Sequence, residues 1–275
     1  MPFTVISILG IVTVIALLNI TIEIHSALSV RDPETPEKSE TREDIYSLAC
    51  SEPPPDPSWK ELKLRWRRDS LIELTHPVTV NLTSRQFTIP WGYFNGRPNA
   101  TRLNCHRSTD VLSLQYWIPS LDAPEADMAY IGVTDRPFEK QHPHRGPDES
   151  VIQAVQVGPY GEGLRNRRST ARWMIESKNL AASAPGTISE RELWKTTVPE
   201  GSLQTIYWFR SSKVEDLVIE CGPFFDRCMG NLDFKDLGLE AKLIFNKDAV
   251  YQHAVIVDGL RTLLKRWQTN GEIPH

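Results

Sequence analysis

Residues 3–22 (FTVISILGIVTVIALLNITI) carry no charged side chain, and the first charge in the chain is Glu23. At about 1.5 Å rise per residue, a helix of that length spans roughly 30 Å, the thickness of a bilayer's hydrocarbon core. The run therefore reads as a transmembrane helix within an anchor-and-flank segment, 1–27, that keeps the rest of the chain at a membrane. A cleaved signal peptide is the other reading. It normally has a basic start and small residues at the cut. Here no Lys or Arg precedes the run, and the best cleavage candidate, His25-Ser26-Ala27, has a poor residue at −3. Orientation is contested within the sequence. Arg31 and Lys38 on the C-terminal side favour a cytoplasmic body by the positive-inside rule, whereas the cysteines favour an exported one. The exported body is the expectation carried forward.

Residues 28–58 are rich in Pro, Glu and Ser and end in a PPPDP run. Such a stretch buries too little apolar area to offset chain entropy, and its prolines stiffen it. It reads as a stalk, with a short helical turn at DIYSLAC. Four cysteines follow the anchor. Cys221 and Cys228 bracket a short turn-like segment (CGPFFDRC) between two strand-like runs. Pairing them leaves Cys50 for Cys105, a bond that staples the end of the stalk to the body. A zinc site would need CxxC spacing or paired His, neither of which occurs; four free thiols in a cytosolic protein is the plain alternative.

The body, 59–275, has the composition of an ordinary globule, at 40% apolar and 24% charged residues for the whole chain. A net charge of −4 gives it no nucleic-acid signature. Trp59–Glu73 reads as irregular or a short strand, and Pro77–Pro90 as a hairpin turning at Thr83–Arg85. Strands are expected at Val111–Ile118, Met128–Thr134, Ser150–Val157, Arg172–Ser177 and Leu203–Arg210. A meander through Leu217–Cys221, Cys228–Phe234 and Leu239–Phe245 completes the set. From Asp248 to Trp267 the apolar residues Val250, Ala254, Val257, Leu260, Leu264 and Trp267 fall in steps of three and four, the mark of an amphipathic helix. Asn246 or Asp248 can cap it, and Lys265 and Arg266 suit its last turn. The expected fold is α+β, an antiparallel β-rich domain with this helix packed on the sheet and an optional division into subdomains near residue 158.

Chemical motifs are sparse. His142 and His144 sit in a Pro-rich polar segment that reads as an exposed loop, and Gly158, Gly161 and Gly163 read as a turn, since no βαβ unit surrounds them. No GxSxG, SxxK or HExxH motif occurs. No cofactor, metal or catalytic residue is assigned, and a hydrolase is the weakest of the functional readings. The sequons at Asn81 and Asn99 carry no weight. Basic clusters at Lys63, Arg65, Arg67 and Arg68, and at Arg165, Arg167, Arg168 and Arg172, suit an acidic partner or anionic head groups.

The order of short signals resembles one protein group. Phe87-Thr88-Ile89-Pro90-Trp91-Gly92-Tyr93-Phe94 is followed by Pro159-Tyr160-Gly161 with Gly163-Leu164. Then come the spaced Cys221 and Cys228 and a C-terminal helix with Leu263-Leu264 and Trp267. The chain is similar, over residues 77–268, to poorly characterised proteobacterial proteins that are membrane-anchored or exported, some of them type VI secretion immunity proteins. The resemblance implies a single-pass inner-membrane protein with its body in the periplasm, binding a toxic effector by occlusion. An accessory subunit of an envelope or secretion complex is the second reading. The residues expected at a partner interface, chosen by composition, are Trp91, Tyr93 and Phe94, and Arg165, Arg167 and Arg168.

Overall fold

A computed structural model describes residues 40–52, 58–105, 107–125, 127, 149–160, 170–180, 192–200, 203–222 and 226–269. The apolar run at 3–22 and the strand expected at Met128–Thr134 lie outside them. Among the described residues, no helix is long and apolar enough to cross a membrane.

Folding begins inside the segment read as a stalk. Helix α1, Arg42–Tyr46, opens with a capping box in which Thr41 and Asp44 satisfy each other's backbone N–H groups. Its Ile45 is fully buried in the main core. The amide of Asn104 donates to the carbonyls of Tyr46 and Leu48, both at 2.9 Å, and Ser51 N–H donates to Thr101 O at 3.0 Å. The Cys50–Cys105 disulfide closes this docking. The body therefore begins at Thr41, not at residue 59. One buried isoleucine and a covalent staple outweigh the polar composition around them.

Helix α2, Trp59–Asp69, replaces the irregular stretch or strand expected there. The signal was Ser58-x-x-Glu61, a capping box that forms in full. Two β-sheets follow. Strands β1 (Pro77–Leu82) and β2 (Arg85–Pro90) make the expected hairpin around Thr83, whose φ of 53° is left-handed. Strand β3 (Arg107–Thr109) lies parallel to β1 and is an exception to the antiparallel expectation.

The larger sheet has the order β4-β5-β10-β9-β8-β7-β6 and is antiparallel throughout. Its strands are β4 (Leu112–Ile118), β5 (Ser150–Pro159), β6 (Trp194–Glu200), β7 (Leu203–Ser211), β8 (Glu215–Cys221), β9 (Arg227–Phe234) and β10 (Leu239–Asn246). Strand β6 was not foreseen. Strand β5 hydrogen-bonds to β10, so chain on both sides of residue 158 shares one sheet within one compact unit, and the subdomain division is withdrawn. A register shift between Lys242 and Leu243 leaves Val155 as an extra residue on β5. It lets Ile152, Ala154 and Val157 all reach the core, although they break a strict alternation.

Helix α3, Thr170–Ser177, stands where Arg172–Ser177 was read as a strand. Ala171, Met174 and Ile175, spaced for one helical face, pack on Tyr207, Phe209 and Val218 on the outer face of the sheet. The inner face receives α4, His253–Trp267. Its Ile256, Val257, Leu260, Leu263, Leu264 and Trp267 are buried. A Cβ on Gly259 would lie 2.6 Å from Leu121 Cδ2, so any larger residue there would have to displace the end of that leucine. Tyr116 on β4 donates to the carbonyl of Ile256 at 3.0 Å. The helix then delivers β11 (Gln268–Thr269) to β2, and the smaller sheet has the order β11-β2-β1-β3.

The two disulfides close loops of unequal length, 55 and 7 residues. By the chain-entropy relation, replacing Cys50 and Cys105 with Ser should cost about 4 kcal/mol and replacing Cys221 and Cys228 about 2 kcal/mol. Denaturant unfolding of the two double variants checks this; equal midpoints would contradict the docking of the Cys50 segment.

Candidate functional site

The aromatic residues expected at a partner interface are structural. Trp91 and Phe94 are buried, and Trp91 Nε1 donates to Pro98 O at 2.6 Å. Tyr93 is half-buried; its hydroxyl donates to Leu121 O at 2.8 Å, and its ring meets Trp267 edge-on at 4.7 Å. Burial, with Asp122 nearby, raises its ionisation above the usual tyrosine range. The trio is thus a packing node joining β2 to β4 and α4, because the chain folds back immediately after Pro90. Arg165, Arg167 and Arg168 lie outside the described residues, as do His142 and His144. The four cysteines pair as expected, Cys50 with Cys105 and Cys221 with Cys228.

Exposed aromatic surface occurs elsewhere. Asn246 caps a 3-10 turn, Lys247–Gln252, by accepting from Asp248 N–H. That turn drives Ala249 and Val250 inward and leaves Tyr251 outward at 79% exposure. The Tyr251 ring stands 6.0 Å from Trp208 on β7, nearly perpendicular to it. Lys195 of β6 lies over the Trp208 ring at 5.0 Å. Trp208 and Tyr251, with Glu192, Leu193, Trp194, Val250 and His253, wall a groove of about 360 Å³. A second aromatic pair, Trp59 and Trp66, is exposed on α2 with Lys63 beside it. Lys63, Arg65, Arg67 and Arg68, the basic cluster noted in the sequence, all fall on that helix.

A buried charge network borders the groove along α4. Glu215 is pinned between two guanidinium groups. Arg210 reaches Oε1 at 2.6 Å, and Arg261 of α4 holds Oε2. Arg261 also lies over the Phe234 ring and pairs with Asp236 and Asp258. On the neighbouring position, Asp216 accepts from Ser211 Oγ at 2.6 Å and meets Lys235 at 3.1 Å. A cleft of about 150 Å³, with Val214 and Ala254 on its rim, opens onto this network. Electrostatically the arrangement clamps the β7–β8 turn to α4. Tyr251, Val255 and Val214 are exposed.

None of these groove residues was marked in the sequence. Tyr251 falls beside the helical stripe, where its exposure depends on the 3-10 turn. Trp208 and Trp194 meet it only through the β6–β7 pairing.

No protein-family model matches the chain, and no curated protein matches it. Among solved structures, one that matches is an immunity protein of the Stenotrophomonas maltophilia type IV secretion system. It is 11% identical, covers 71% of this chain and 94% of its own, and has a TM-score of 0.38.

Three substitutions separate the roles. Trp91→Ala should cost about 3–5 kcal/mol as a core truncation. Tyr251→Ala should change stability by less than about 0.5 kcal/mol. Glu215→Ala should cost about 3–5 kcal/mol, because it strands two largely buried guanidinium groups. Chemical denaturation of the three variants reads all of these; a stable Trp91→Ala protein would return that residue to the surface.

Proposed function

We propose that the chain is an exported, membrane-tethered binding protein that neutralises a toxic secreted effector by occlusion, an immunity role, and that the Trp208–Tyr251 groove is its contact surface. The observation that carries this reading is Tyr251, a large aromatic side chain held in the open beside a partly buried tryptophan. Tyr and Trp are enriched among the few residues that carry most of the binding energy of a protein interface. Two disulfides suit an oxidising compartment, which supports export to the periplasm. The apolar run at 3–22 supplies the tether in this reading. The proposal assigns no catalytic activity and no cofactor. It names a secreted effector without tying it to type VI secretion, the class the sequence resemblance brought in.

The test uses the full-length chain and the toxins secreted by the strain that produces it. Wild-type chain should bind one toxin stoichiometrically and protect sensitive cells. Tyr251→Ala should weaken that binding at least tenfold while its melting temperature is unchanged. Full protection by Tyr251→Ala, or recovery of the chain only in a multi-subunit envelope assembly, overturns the reading. Thiol labelling in intact cells that finds four reduced, cytoplasm-facing sulfhydryls overturns the export on which it depends.

A further inference from the structure

A second cleft, of about 440 Å³, lies between the Cys50–Glu52 segment and strands β3 and β4. That volume is within the range of small-ligand sites. Its chemistry is cationic: Arg102 and Arg107 both line it, and among its described lining residues Glu52 alone is acidic. Glu52 Oε1 is 3.0 Å from Arg102 Nη2, yet the Glu52 side chain is 73% exposed.

Polar atoms of the lining residues are incompletely used. Arg107 Nη1 and Arg102 Nε are buried and meet no acceptor among the described residues. Asn95 donates its amide to Ser113 Oγ at 3.2 Å, and its buried Oδ1 meets no donor. Burial and then the like charge of Arg102 pull Arg107 below the usual arginine range, with Glu52 opposing them. An arginine kept only for its apolar stem would extend its charged head into water. Here the guanidinium is instead held near the Phe94 ring, 5.9 Å from its centroid, with one nitrogen enclosed. A buried donor without an acceptor is costly. The guanidinium fork matches the two oxygens of a carboxylate or phosphoryl group.

We propose that this cleft binds an oxyanion between Arg102 and Arg107, and that Glu52 is an internal competitor which the ligand displaces from Arg102. The matching chemistry is a carboxylate or phosphoryl group carried by a small molecule. The site is separate from the Tyr251 groove and does not depend on the toxin-binding reading.

Calorimetry on the full-length protein at low salt tests it with two probes, inorganic phosphate and an N-acetylated alanine dipeptide bearing a free C-terminal carboxylate. At least one probe should bind saturably. Arg107→Gln and Arg102→Gln should each weaken it tenfold or more. Glu52→Gln, at an exposed position that should leave the fold intact, should tighten it severalfold. Tighter binding of the dipeptide, lost in its C-terminal amide, identifies a chain-terminal carboxylate as the source; tighter binding of phosphate identifies a phosphoryl ligand. Tyr251→Ala should leave probe binding unchanged. The proposal is overturned if neither probe saturates, if Arg107→Gln binds like the wild type, or if Glu52→Gln fails to strengthen binding.

Discussion

Gly259 lies against Leu121, and beside it the Tyr116 hydroxyl donates to the Ile256 carbonyl; this close approach sets α4 on the large sheet. Much of the described architecture follows from that placement. The first turn of α4 borders the groove that presents Tyr251. Its middle carries Arg261 to Glu215, and its end seats Trp267 against Tyr93. The chain then continues directly into β11, which closes the edge of the small sheet on β2. One helix therefore links both sheets, the ion network and the candidate contact surface. A Cβ at Gly259 would require the end of the Leu121 side chain to shift, since interiors packed to crystal-like density have little spare volume at such a contact.

Around Glu215 and Asp216, carboxylates meet cations and a hydroxyl, which ties the start of β8 to α4, while Asp216 Oδ2, Arg210 Nε and Arg261 Nε are buried without a hydrogen-bond partner among the described residues. Breaking such a cluster is costly because it leaves a charge in a poorly solvated place, whatever its net contribution when intact. Around Arg107, the exposed Glu52 carboxylate pairs with Arg102 at 3.0 Å, and Arg107 Nη1 meets no acceptor among the described residues.

The elements that the sequence revealed share one property: their own residues settled their partners. The β1–β2 hairpin was legible because Val78, Val80 and Leu82 alternate and their partners follow within a few residues. Helix α4 was legible because its stripe extends over several turns. Helices α2 and α3 were misread because they are short and their flanks are charged. The capping box at Ser58 and the spacing of Ala171, Met174 and Ile175 were the overlooked signs. The aromatic trio after Pro90 was placed on the wrong side of the surface, since composition reports that a ring is large but not which way the chain turns beneath it.

By itself, the sequence determined the β-rich class with a C-terminal amphipathic helix, and it favoured the cysteine pairing that the structure shows. Periodicity and short-range spacing are enough for such properties, because they depend on neighbours along the chain. Tertiary structure decided the rest. It buried Trp91 and Phe94, exposed Tyr251 beside Trp208, joined β5 to β10 across the sequence, and set Arg102 and Arg107 around one cleft. Each outcome depends on the distance and direction between segments far apart in the chain, and only the packed core fixes those.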